Sequence, residues 1–174
     1  MKEKQQSKVS QRMHGVGRIV SGGQTGVDQA ALDVAIELKI PHGGWCPLGR
    51  VCEVGHIPAK YKLKESPSPD YATRTQQNVI DSDGTLILYQ GKMQGGTALT
   101  ARYARQFNKP LARVRLEAVW DFAGIVHWLS ENNISVLNIA GPRASSNPNI
   151  YQLAKDFLIK LASYDIARSE RLFD

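Results

Sequence analysis

The chain has 174 residues, 42% hydrophobic and 22% charged, with a formal net charge of +6. That length and composition suit one globular domain. No run of about 18 apolar residues is present, so no membrane span is expected. No zinc-finger spacing, RNP signature or aromatic-interleaved basic strand supports a nucleic-acid partner.

The position of the charge weakens the nucleic-acid reading further. Lys2, Lys4, Lys8, Arg12 and Arg18 face Glu3 alone, so most of the excess lies in the N-terminal segment. Met1 to His14 has no apolar stretch and does not read as a secretory signal. Its Lys, Gln and Ser content predicts a disordered basic tail over 1–16, followed by a single domain over 17–174. Two cysteines, Cys46 and Cys52, fit a reducing compartment, so a cytoplasmic location is expected. They lie between His42 and His56, but that spacing matches no metal clip, and no metal site is expected.

Arg18-Ile19-Val20 reads as a buried strand. Val27, Ala30, Ala31, Val34, Ala35 and Leu38 recur at helical spacing after it. Between them lies Ser21-Gly22-Gly23-Gln24-Thr25-Gly26, a strand-to-helix glycine loop. Such a loop offers free N–H groups and a helix dipole to an anion at the carboxyl edge of a parallel sheet. It is not a Walker loop, because no Gly-Lys-Ser/Thr ends it. Pro41 stops the helix. A short strand is predicted at Gly44 to Cys46, then an irregular stretch to about Pro69. A long irregular stretch in a compact domain is usually functional. It carries Arg50, Glu53, His56, Lys60 and Glu65, a mixed set suited to lining a pocket.

Ser68 as cap and Pro69 at the first helical position predict a helix to Ile80. Arg74 and Thr75 then fall in its early turns, at the same sheet edge as the glycine loop. Arg74 is expected exposed, offering planar donors to a phosphate. Asp81 and Asp83 read as turn residues before the strand Thr85 to Tyr89. A second glycine loop follows, with Gly95, Gly96 and Thr97, and a helix carrying Leu99, Tyr103 and Phe107. Two such loops converge on one edge, which argues for a shared anionic ligand. A strand Pro110 to Val114, a helix Ala118 to Glu131 and a strand Ser135 to Ala140 come next. The last helix is predicted to be capped by Ser146 or Asn147. The fold expected is α/β and Rossmann-like, three-layered, with a mainly parallel sheet and helices on both faces.

Several motifs then carry a family resemblance. Ser21-Gly22-Gly23-Gln24-Thr25-Gly26-x-Asp28, Gly43-Gly44-Trp45-Cys46-Pro47-x-Gly49-Arg50, Arg74-Thr75-x-x-Asn78-Val79, Ser82-Asp83-Gly84-Thr85 and Gly95-Gly96-Thr97 resemble, in order, the molybdenum carrier family. The likeness spans about residues 18–162. It implies a Rossmann-like fold shared with the lysine-decarboxylase-like phosphoribohydrolases, a homo-oligomer (dimer or tetramer), and a molybdopterin cargo delivered to a molybdoenzyme. The phosphoribohydrolases follow their second loop with Gly-Thr-x-x-Glu, whose glutamate is catalytic. Here Thr100 stands at that position, so a carrier is expected rather than an enzyme.

The resulting expectation is a phosphorylated ligand held by Gly22, Gly23, Gln24, Thr25, Gly26, Arg50, Arg74, Thr75, Gly95, Gly96 and Thr97. A helix N-terminus contributes roughly 0.3–1 kcal/mol to anion binding. Micromolar affinity needs about 8 kcal/mol, so arginine contacts and ring burial must supply most of it. A nucleotide has the same phosphate-plus-ring plan as molybdopterin, and a nucleotide-binding or nucleotide-processing protein is the alternative.

Overall fold

The computed structural model describes residues 13–165. The expected basic tail falls mostly on residues 1–12, outside the described residues. Its end is not tail: Met13 and Val16 are buried in the main core. His14 Nε2 lies 2.7 Å from the Leu161 carbonyl oxygen. The packed domain therefore begins by Met13 rather than at residue 17.

The elements in chain order are β1 (Arg18–Val20), α1 (Val27–Glu37), β2 (His42–Gly43), β3 (Trp45–Cys46), β4 (Val51–Cys52), β5 (Gly55–His56) and β6 (Lys64–Glu65). Then come α2 (Tyr71–Ile80), β7 (Gly84–Tyr89), α3 (Gly95–Gln106), β8 (Leu111–Arg115), α4 (Phe122–Glu131), β9 (Val136–Ala140) and α5 (Ile150–Ser163). Five strands make the central sheet in the order β2-β1-β9-β7-β8, every pair parallel. The strand expected at Gly44 to Cys46 divides in two. His42–Gly43 joins the central sheet, whereas Trp45–Cys46 pairs with Lys64–Glu65 outside it. The tight turn at Gly44, with φ of 121°, separates the two.

Register explains the two faces. Ile19 pairs with Leu137, and Leu86 with Ile139, so these apolar residues share one face. They pack with Val27, Ala31, Val34 of α1, Val126 and Leu129 of α4, and Ile150, Phe157 and Leu158 of α5 in one buried cluster. The alternate positions pair Val20 with Asn138 and Asn138 with Thr85. This second face is more polar, and Asn138 Nδ2 donates to Thr85 Oγ1 at 3.2 Å. The α3 helix packs on β7 and β8 here, with α2 against α3. The architecture is therefore the expected three-layer, Rossmann-like one. A smaller cluster of Leu32, Cys46, Cys52, Ile57 and Tyr61 holds the irregular stretch against α1.

Three helix starts lie later than the sequence predicts, two of them because an aspartate caps the first turn. The α2 helix is capped by Asp70, which accepts from Ala72 N at 3.0 Å, while Ser68 Oγ accepts from Asp70 N. The α4 helix starts after Asp121, which accepts from Gly124 N at 2.8 Å. The α5 helix follows Asn149 without a side-chain cap, because 148–149 form a turn beyond the cap expected at Ser146 or Asn147. The aspartates of the 81–83 turn are structural, as expected. Asp83 Oδ2 accepts from Ser135 N and Val136 N, and Asp81 Oδ2 from Trp45 Nε1.

Candidate functional site

The chain leaves β1 for α1 on one face of the sheet and β7 for α3 on the other. The β9 strand lies between them, so the two exits diverge above its carboxyl end and open a cleft. Its volume is about 270 Å³. Its walls are Gly22, Gln24 and Asp28 on one side, and Gln94 to Thr97 with Thr100 on another. Arg74, Thr75 and Asn78 of α2 close a third side, and Asn138, Ala140 and Gly141 of β9 and its exit contribute with Arg143 and Ser146.

The first glycine loop is largely satisfied by the protein itself. Gln24 N donates to Asp28 Oδ2 at 3.2 Å and Thr25 N to Gln24 Oε1 at 3.0 Å. Val27 N, the first N–H of α1, donates to the Pro142 carbonyl, and Gln29 N to the Gln24 carbonyl. The Thr25 hydroxyl donates to Glu53 Oε1 and accepts from Ala144 N. Gly26 has φ of 83°, and a Cβ there would collide with the Pro142 carbonyl. Of the predicted set, Gly23, Thr25 and Gly26 thus build the wall but do not line the cleft. Gly23 is backed by Leu63 and Ile57.

The second loop is open. Gln94 caps α3 without a side-chain bond. The N–H groups of Gly95 and Gly96 have no acceptor in the described chain. A Cβ on Gly96 would meet nothing within 4 Å, and its φ is not positive. Neither packing nor backbone conformation accounts for that glycine. Thr97 lines the cleft beside it. Thr100 also lines the cleft, and its hydroxyl donates to the Gly96 carbonyl at 2.9 Å. No carboxylate stands at this position.

Arg74 does reach the cleft, but not as an exposed charge. Its Nη1 lies 3.1 Å from Asp28 Oδ2, with side-chain exposures of 12% and 5%. The guanidinium lies across Gly22, where any Cβ would occupy the place of Nη1. Burial pushes the Asp28 carboxyl above its ordinary range, and Arg74 opposes that shift. The second cleft cation, Arg143, is 42% exposed and lies 4.0 Å from Glu53 Oε2. Both guanidiniums flank the Tyr71 ring, at 5.7 and 5.8 Å from its centroid. Thr75 lines the cleft, with its hydroxyl donating to the Tyr71 carbonyl.

Arg50 is not in the cleft. Its Nη2 donates to the Pro58 and Tyr61 carbonyls at 2.9 and 3.0 Å, tying the irregular stretch together. Lys60 and Glu65 of that stretch are likewise engaged within the protein. Lys60 pairs with Asp33 at 2.7 Å, and Glu65 accepts from Gly49 N. Glu53 sits in the β4–β5 turn, where its carboxylate accepts from the Thr25 hydroxyl and from both Ser145 N and Ser145 Oγ. Cys46 and Cys52 are buried free thiols, and no cluster of three or more metal-ligating side chains occurs among the described residues.

The sequence reading missed Asp28, Asn78, Gln94, Asn138 and Arg143 as parts or supports of this site. Asp28 and Asn78 stood in the quoted motifs without a role. Asn138 carried a signal, being an amide inside an apolar strand. Arg143 was given no role, since only long-range folding brings it beside the first loop, and Glu53, expected to line a pocket, instead braces that loop.

No curated protein matches the chain. A crystal structure from Syntrophus aciditrophicus SB, described as a "putative molybdenum carrier protein", is 47% identical with a TM-score of 0.83. The match covers 84% of this chain and 95% of that one. The model of the circularly permutated YpsA SLOG family matches residues 19–162. On that match and that identity, the chain belongs to the circularly permutated YpsA SLOG family, and it is molybdenum carrier-like.

Proposed function

We propose that this chain is a carrier that binds a phosphorylated, ring-bearing small molecule, with molybdopterin as cargo. The phosphate takes the N–H groups of Gly95 and Gly96 at the N-terminus of α3, with Arg74 and Arg143 as counter-charges. The ring lies toward Gln24 and Asn138. The observation that carries this reading is Gly96. It is a glycine with open space where its side chain would be, facing the cleft beside two unpaired N–H groups. Close approach of a ligand gives such a glycine its reason.

The cleft volume of about 270 Å³ is near the low end of small-molecule sites, which run to roughly 300–1,000 Å³. That suits one phosphate and one ring system, not a dinucleotide. Molybdopterin is preferred over a nucleotide on the family and on the neighbour's description. Thr100 supports binding over hydrolysis, because it offers no acid or base near neutral pH. The same reading includes a homo-oligomer, a cytoplasmic location and delivery to a molybdoenzyme.

The test is ligand retention. The chain purified without oxygen should release a pterin, read by mass spectrometry and by fluorescence after oxidation. Gly96→Ala should lose it with an unchanged or slightly raised melting temperature, since alanine is the better helix residue. Equal retention by Gly96→Ala, or no phosphorylated ligand at all, refutes the reading.

A further inference from the structure

We infer that the cleft selects a ligand whose ring bears an oxo group, and that Gln24 reads that group. This rests on the phosphate-and-ring reading and deepens it. Among the described residues, two buried side-chain nitrogens or oxygens have no hydrogen-bond partner: Gln24 Nε2 and Arg74 Nε. Both belong to residues that line the same cleft. Buried donors are almost always satisfied, so two orphans on residues of one cleft point to a missing acceptor.

The Gln24 amide cannot be turned over to remove the orphan. Its Oε1 accepts from Thr25 N and from Glu53 N, each at 3.0 Å. A flipped amide would set its NH2 group against two N–H donors. Nε2 is therefore fixed as a donor, on a residue only 6% exposed. The first loop and α2 hold it there. Gln24 N and Arg74 Nη1 meet on the same Asp28 Oδ2, at 3.2 and 3.1 Å.

The chemistry this asks for is one-sided. A carbonyl oxygen satisfies Nε2, and an amino group sets donor against donor. A mismatched ring leaves this buried donor unpaired, at the cost of an unmade hydrogen bond. A phosphate ester with a 4-oxopterin or 6-oxopurine ring offers that oxygen, whereas a 6-aminopurine offers an amino group at the corresponding place and only its ring nitrogens as acceptors. Selectivity thus comes from the first glycine loop, while the second supplies phosphate affinity.

The experiment uses the full chain, calorimetry, and two probes that share phosphate and ribose: inosine monophosphate and adenosine monophosphate. The wild type should bind the inosine nucleotide about tenfold or more tighter. Gln24→Glu keeps an acceptor for the Thr25 and Glu53 N–H groups but replaces Nε2 with oxygen. It should erase or invert the ratio. The added charge repels both phosphates alike and cancels in the ratio. Should Gln24→Glu fail to fold, the wild-type ratio decides alone. Equal affinities overturn the inference, as does a ratio that Gln24→Glu leaves unchanged. If Gly96→Ala weakens both nucleotides in those cases, the phosphate reading survives. Binding of neither nucleotide overturns the inference, and the reading falls with it only if no phosphorylated ligand co-purifies.

Discussion

Arg74→Ala is the sharpest perturbation of the buried charges in the cleft. The ion pair with Asp28 is 3.1 Å long, and its side chains are 12% and 5% exposed. Removing the arginine leaves a carboxylate in the wall with no counter-charge, held by neutral donors such as the Gln24 N–H. Breaking a buried pair from one side costs about 3–5 kcal/mol, because the surviving charge is uncompensated. For a domain of this size, that is a fall in melting temperature of roughly 6–20 °C. Asp28→Asn added to Arg74→Ala should recover much of it, since the stranded charge is gone. The loss must also depend on pH, with a defined sign. Asp28 is raised above 3.8 in the fold, so the native state binds more protons than the unfolded one between the two values. Stability from this group therefore falls as pH rises through that window. Without Arg74 to oppose it, the shift grows and the window extends upward. Thermal melts of wild type, Arg74→Ala and the double variant across pH 4 to 8 should show a deficit that widens with pH. A deficit that is absent at pH 7, or constant across the range, refutes the buried-pair reasoning.

Two further outcomes follow from supports outside the cleft. Glu53→Ala removes the acceptor that joins the β4–β5 turn to Thr25 and Ser145. Amide exchange should quicken selectively over Thr25–Val27 and Ala144–Ser146, and equal protection in both proteins would show that the turn does not hold these loops. Asp33 accepts from Tyr61 and Tyr151 and pairs with Lys60, contacts that hold its carboxyl below the usual range, while burial and then the Asp33 carboxylate push Tyr151 up to about 12. Its folded pKa is depressed, so its contribution is present above the unfolded value and lost as pH falls through the folded one. Asp33→Asn should lower stability at pH 7 by about 1–3 kcal/mol, and by less at pH 3, in urea titrations. An equal loss at both pH values would contradict the assignment.

Local pattern carried the fold, and long-range contact decided the site. Strand and helix identities follow from periodicity, because the apolar residues of β1, β7 and β9 face one core. Burial of Arg74 depends on Asp28 arriving from another element, which no local pattern encodes. Arg50 shows the converse. It reads as a ligand arginine in the sequence, yet carbonyls of its own stretch take its guanidinium. The glycines make the point most fully. Gly22, Gly26 and Gly96 look alike as members of two strand-to-helix loops. In the fold, Gly22 makes room for Arg74 and Gly26 for the Pro142 carbonyl. These neighbours are far along the chain, so the sequence cannot separate a glycine that packs from one that waits for a ligand. Gly96 alone of the three has open space in place of a neighbour. The first and more conspicuous motif is therefore chiefly architectural at its glycines. Under the proposed function, its share in recognition falls to the side chains beside those glycines, Arg74 over Gly22 and the locked amide of Gln24, and the anion goes to the start of α3.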